Sequence, residues 1–204
     1  MRIAAVVLAG GEGRRISGGK PHRRLGGRTL LERALERARA LSPDVALAVR
    51  EPGQAGGAEV EVLTDAPGIE GPLAGLASAL AFARARGAQA VLTLPCDAPF
   101  LPDDLAGRLS QALQADASCA VPQSGGRLHP TCALWRAELG PALQAYAASG
   151  RRALIGFAET VGLVAVPWPD EPVDPFFNIN TPEDLERAEA LLRPPPRPGS
   201  GPGG

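Results

Sequence analysis

Lysine is nearly missing from this chain of 204 residues: 20 of its 21 basic side chains are arginine, and the one lysine is Lys20. Asparagine is almost as scarce, with only Asn178 and Asn180. An ammonium is a compact point charge and a guanidinium a wide planar fork, so a tight phosphate pocket can require lysine specifically; retention of one lysine by chance is the alternative. Net charge is lacking too. A formal charge of -1 gives no general attraction to nucleic acid or to an anionic membrane, although arginines cluster at 14–15, 23–24 and 151–152. The three cysteines, Cys96, Cys119 and Cys132, are odd in number and lack metal-type spacing, so they read as reduced thiols of a cytosolic protein. No apolar run approaches the roughly 20 residues of a membrane helix. The first, over residues 3–9, meets glycine and arginine too soon for a secretory core. These absences point to a soluble, cytoplasmic protein with no nucleic-acid or membrane partner.

With 45% hydrophobic residues the chain can bury one sizeable core, and a single domain over residues 1–193 is expected. Strand patterns alternate with helical ones. Strands are expected at 3–9, 45–49, 60–63, 90–94, 118–121, 131–135 and 163–166. Helices are expected from the capping-box pair Thr29 and Glu32 to Leu41, from Gly71-Pro72 onward, over 102–115, near 136–147 and 151–158, and from Thr181-Pro182 to Leu192. Residues 194–204, nearly all Pro, Gly and Ser, predict a disordered tail. The alternation implies an α/β fold, a Rossmann-like, mostly parallel sheet with helices on both faces. Ligands in such sheets lie beyond the carboxyl ends of the strands. The glycine-rich loop, Asp65 and Asp97 each follow a strand, so they should share one rim.

That loop, Gly10-Gly11-Glu12-Gly13-Arg14-Arg15-Ile16-Ser17-Gly18-Gly19-Lys20, fits neither common phosphate motif. A dinucleotide fingerprint from Gly11 needs glycine where Ile16 stands. A Walker loop ending at Lys20 needs glycine at Arg14 and Ser or Thr at Pro21. What remains is a flexible backbone with two arginines and a lysine, able to wrap a triphosphate, or a glycine turn that serves only packing.

Leu8-Ala9-Gly10-Gly11, Arg14-Arg15-Ile16 and Lys20 together resemble the signature loop of nucleotidyltransferases with a nucleotide-diphosphosugar-transferase type of fold. Later motifs narrow the resemblance. Glu70-Gly71-Pro72-Leu73-Ala74-Gly75, Pro95-Cys96-Asp97-Ala98-Pro99, His129-Pro130-Thr131, Gly150-Arg151-Arg152 and Asn178-Ile179-Asn180-Thr181-Pro182 occur in the order found in molybdenum cofactor guanylyltransferases, over nearly all of residues 3–192. The resemblance implies transfer of GMP from GTP to the phosphate of molybdenum-bound molybdopterin, with release of pyrophosphate. Positioning and charge neutralisation dominate such transfers.

By this resemblance Arg15 and Lys20 hold the triphosphate, and Asp97 binds Mg²⁺ near the α-phosphate. Mg²⁺ favours one or two carboxylates plus phosphate oxygens, so a single aspartate suffices as an anchor. Leu8, Ala9, Gly10, Gly11, Asp65 and Gly71 would line the nucleotide. His129, Arg151, Arg152, Asn178 and Asn180, with Arg127 nearby, would face the acceptor. Transient contact with molybdenum-insertion or recipient proteins would follow from such a role.

Each residue also has a structural reading. Asp97 can be a turn residue before Pro99, Asp65 a turn cap, Gly75 a helix–sheet packing contact, His129 a buried ring bonded to a turn, and Asn180 part of the Thr181 cap. Trp135, Phe157 and Trp168 read as core. The chain also departs from the family. Pro21-His22-Arg23-Arg24 stands where a run of leucines is usual, and the loop before Lys20 is one residue shorter than in some relatives. No asparagine stands at Ala48, Val49 or Arg50, where one often helps read the base. Rival readings are a cytidylyltransferase or other nucleotidyltransferase, and a cofactor carrier without catalysis.

Overall fold

The computed structural model describes residues 1–10, 20–113 and 117–193, and only the backbone of Lys20. Gly11, Arg15 and the tail at 194–204 lie outside the described residues, and with them the expectations placed there.

The first apolar run is strand β1 (Ile3–Leu8), whose residues are covered on both faces. A short antiparallel pair, β2 (Arg24–Leu25) and β3 (Arg28–Thr29), precedes helix α1 (Leu30–Leu41). Then come β4 (Val45–Val49), β5 (Glu61–Thr64), α2 (Pro72–Ala85) and β6 (Ala90–Pro95). Helix α3 (Leu105–Ala112), β7 (Cys119–Ser124), β8 (Arg127–Leu128) and β9 (Leu134–Arg136) follow. The chain continues through α4 (Gly140–Ala148), α5 (Leu154–Val161), β10 (Leu163–Pro167) and α6 (Pro182–Leu192).

The main sheet is ordered β10-β7-β9-β6-β1-β4-β5, with β8 paired to β7. Neighbours are parallel except at β9 and β8. From β1 the chain passes to β4 on one side, and from β6 it passes to β7 on the other. The carboxyl ends of β1 and β6 therefore flank the crevice where ligands bind in open α/β sheets. Their register sets Leu8 opposite Pro95.

Alternation along β1 feeds two cores. Ala4 and Val6 join Leu73, Leu76, Leu80, Leu143 and Phe157 on the α2 face, while Ala5 and Val7 join Leu31, Leu35, Leu105 and Leu109 on the α1 face. Trp135 and Phe157 are fully buried and stacked, with ring centroids 5.8 Å apart. Burying each such side chain is worth about 1.5–3 kcal/mol. Thr93, buried on β6, is satisfied by Trp135 Nε1–H at 3.2 Å and by the Ala133 backbone. Burial pushes the Cys119 thiol up to about 12 and raises Cys132 as well; none of the three cysteines forms a disulfide. No helix among the described residues is long and apolar enough to cross a membrane.

Several boundaries differ from expectation. The helix expected over 102–115 is one of eight residues, Leu105–Ala112. The strand expected over 131–135 begins only at Leu134, because Cys132 N–H closes a turn onto the His129 carbonyl at 2.9 Å. The helix near 136–147 is a 3-10 turn (Ala137–Leu139) leading into α4. Residues 151–153 are a loop, since Gly150, at φ 81°, turns the chain out of α4. In place of the family's leucine run, Lys20–His22 forms a 3-10 turn, and Leu25 fills a third small core with Leu30, Ile179 and Ala188.

Candidate active site at the sheet crevice

Backbone hydrogen bonds align the strand ends into one rim. Cys96 N–H reaches the Leu8 carbonyl at 3.3 Å, Ala9 N–H the Ala48 carbonyl at 2.9 Å, and Asp65 N–H the Val49 carbonyl at 3.2 Å. Leu8, Ala9, Gly10, Asp65 and Asp97 are thereby brought together, although 87 positions separate Gly10 from Asp97 in the sequence. Gly10 packs closely against the end of β4: an added Cβ would lie 3.1 Å from the Arg50 amide nitrogen, and that backbone would have to give by a few tenths of an ångström. Gly71, at φ 67° and ψ −152°, starts α2 without a side-chain cap, which leaves the helix N-terminus available to an anion. Gly75 is a packing contact, since a Cβ there would meet Leu8 Cδ2 at 3.3 Å. Asp65 is half-buried; burial raises its carboxyl above the ordinary range, opposed by the Arg50 guanidinium.

Asp97 heads the turn after β6, and its carbonyl accepts the Ile179 N–H at 2.9 Å. The segment from Asp174 to Asn180 is thus docked against the Asp97 turn. Asn178 Oδ1 is buried and has no hydrogen-bond partner among the described residues. Asn180 is exposed, and its N–H donates to Asp184 Oδ2 at 2.9 Å. Asp184 also accepts the Thr181 N–H at 2.9 Å and closes the capping box of α6. Burial raises the Asp184 carboxyl, but the hydrogen bonds from the Asn180 and Thr181 amides and the Thr181 side chain outweigh it and hold the group below its usual range. The backbone of Asn180 therefore serves the helix cap.

Arg151 and Arg152 precede α5, which runs back to the start of β10, so they too lie at the rim. Arg152 Nη1 pairs with Glu70 Oε2 in the loop before Gly71, while Arg151 lies over the Tyr146 ring at 5.4 Å. The two side chains diverge, and only Arg152 reaches the α2 entrance. His129 is half-buried, bonded through Nε2 to Ser124 Oγ at 2.8 Å and stacked on Phe176 at 4.8 Å. Ser124, which holds it, and Asp174, which accepts the Ser124 hydroxyl at 2.7 Å, went unnoticed in the sequence. The Gly125-Gly126 pair is a hairpin signal that returns Arg127 and His129 beside Ser124; nothing local marks Asp174.

Known proteins resemble this chain along most of its length. Residues 5–161 match the model of the MobA-like NTP transferase domain. A molybdenum cofactor guanylyltransferase of Cereibacter sphaeroides is 42% identical, covering 95% of this chain and 98% of its own. A protein of the same name from Rhodobacter capsulatus is 44% identical with the same coverage. Among solved structures, molybdopterin-guanine dinucleotide biosynthesis protein A from Archaeoglobus fulgidus superposes with a TM-score of 0.75 at 27% identity, over 92% of this chain and 97% of its own. With its open α/β sheet, its crevice between β1 and β6 and these relatives along nearly its whole length, the chain belongs to the MobA-like nucleotidyltransferase family, among the molybdenum cofactor guanylyltransferases.

Proposed function

We propose that this protein transfers GMP from GTP to the phosphate of molybdenum-bound molybdopterin, forming the guanine dinucleotide of the cofactor in the cytoplasm. A phosphate oxygen of the acceptor bonds to the α-phosphorus of GTP, the α–β bridging P–O bond breaks, and pyrophosphate leaves. The observation that carries this reading is the convergence of Gly10, Asp65, the open α2 start and Asp97 on one crevice, with the Asn178 segment docked on the Asp97 carbonyl.

The residues present fit Mg²⁺. Among the described residues no three His, Cys, Asp or Glu side chains gather into a metal cage, but Mg²⁺ rarely uses one and takes one or two protein oxygens plus phosphates. Asp97 supplies the carboxylate, and the unpartnered Asn178 Oδ1 is a hard oxygen of the right kind. A metal held there would neutralise the charge that develops on the phosphates. Asp97 fixes that charge balance, and Gly10 and Gly71 let backbone N–H groups approach the phosphates. Arg152, tethered to Glu70 beside the α2 start, would hold an acceptor phosphate brought next to the triphosphate there, and Asp65 would line the nucleoside side. Arg15 and Lys20 complete the reading from sequence alone.

The test is pyrophosphate release from GTP with molybdopterin present. Asp97→Asn keeps the side-chain shape and removes the charge, so turnover should fall about a hundredfold, equivalent to roughly 3 kcal/mol, with GTP binding little changed. Half the wild-type rate in that variant would contradict the role of Asp97. A carrier without catalysis would bind GTP and release no pyrophosphate.

A further inference from the structure

Ser124 ends β7 and is buried. Its Oγ lies 2.8 Å from His129 Nε2 and 2.7 Å from Asp174 Oδ1. A hydroxyl has one proton, and an ionised carboxylate only accepts. Ser124 therefore donates to Asp174, and its lone pair receives the proton of His129 Nε2. This order leaves Nδ1 of a neutral ring as the bare nitrogen. Asp174 Oδ1 also accepts the Phe176 N–H at 2.9 Å, and the Asp174 carbonyl accepts the Phe177 N–H at 3.1 Å. Two residues on, Ile179 N–H holds the Asp97 carbonyl. The short segment that carries Asn178 is pinned at one end to the β7–β8 hairpin and at the other to the Asp97 turn.

We propose that Ser124, His129 and Asp174 are positioning residues, a hydrogen-bonded chain that sets Asn178 against Asp97, with His129 a neutral donor to Ser124 rather than a cation for the acceptor phosphate. The proposal rests on the roles given above to Asp97 and Asn178. The charged groups facing the imidazole are Asp174 and Arg127. Burial lowers its protonation, Asp174 and hydrogen bonding to the Ser124 backbone favour it and Arg127 opposes it, and the balance falls on the neutral side. The Phe176 face beneath the ring, itself packed edge-on against Trp168 at 5.4 Å, supports an uncharged ring equally well.

Two measurements test this. A long-range ¹H–¹⁵N correlation spectrum of the protein without substrate, with His129 assigned against the His129→Gln variant, should show Nε2 protonated and Nδ1 bare at neutral pH. An Nδ1–H tautomer or an imidazolium would overturn the chain as drawn. In kinetics, Asp174→Ala should raise KM for molybdopterin about tenfold, the scale seen when a group behind a ligand is removed, while the Kd for GTP stays near wild type. His129→Gln, whose amide can still donate to Ser124, should recover most of what His129→Ala loses. Equal damage in both His129 variants, or equal loss for GTP and acceptor, would overturn the proposal. If Asp174→Ala does not fold, Asp174→Asn, which keeps an accepting oxygen, should give a smaller rise in acceptor KM, and an unchanged KM would count against the chain. The spectrum needs no substrate, so a protein found to transfer no nucleotide would sink the functional reading while the tautomer still judges the chain.

Discussion

Asp65 carries a cost that its place at the rim imposes. Burial, opposed by Arg50, raises its carboxyl above the ordinary range. A carboxyl raised in the fold relative to the unfolded chain contributes most to stability below its unfolded value, and that contribution is lost as pH rises through the folded value. Asp65→Asn removes the penalty. Its melting temperature at neutral pH should equal or exceed wild type, and the fall in stability as pH rises through the carboxylate range should flatten, while affinity for GTP drops. Thermal melts across that range check this; a lower melting temperature at neutral pH would mean that the charged form makes favourable native bonds. Asp65 and Asp97 were legible in the sequence because each directly follows an apolar strand. Ser124 and Asp174 were not, because their meaning arises only when a hairpin and a distant loop bring together groups 50 positions apart.

The two helix starts capped by threonine were the most readable elements, whereas α3, α4 and α5 begin three or four residues later than their patterns suggest. Thr29 with Glu32, and Thr181 with Asp184, both form complete capping boxes, since the cap needs only local spacing. Thr181→Ala should destabilise the protein by about 1 kcal/mol, read as a shifted midpoint in denaturant at unchanged slope. No shift would mean that Asp184, bonded to the Asn180 and Thr181 amides, holds the helix start alone. The two-residue β2, β3 and β8 escaped the sequence reading, and β9 was set too early. Such short antiparallel pairs carry too few alternating residues to register, and their partners, not their composition, hold them in place.

For the whole molecule, strands alternating with helices correctly implied a mostly parallel sheet, and the rule that ligands lie beyond the strand ends correctly set Gly10, Asp65 and Asp97 on one rim, the rest of the glycine-rich loop lying outside the described residues. Strand order was another matter. The antiparallel β9, wedged between β6 and β7, depends on the fully buried Trp135 and its bond to Thr93, which no pattern along the chain reveals. That wedge sets the spacing between the Asp97 turn and the β7–β8 hairpin, and so the width of the crevice into which two substrates must fit. The base to be read in that crevice is the finest point of the functional reading, since Ala48, Val49 and Arg50 supply no asparagine at the end of β4. The most direct measurement is mass spectrometry of the product formed by the purified protein from molybdopterin, Mg²⁺ and an equal mixture of the four nucleoside triphosphates. The guanine dinucleotide, formed with one pyrophosphate released per product, is the predicted result; a cytosine dinucleotide, or bound nucleotide with no dinucleotide at all, would contradict it.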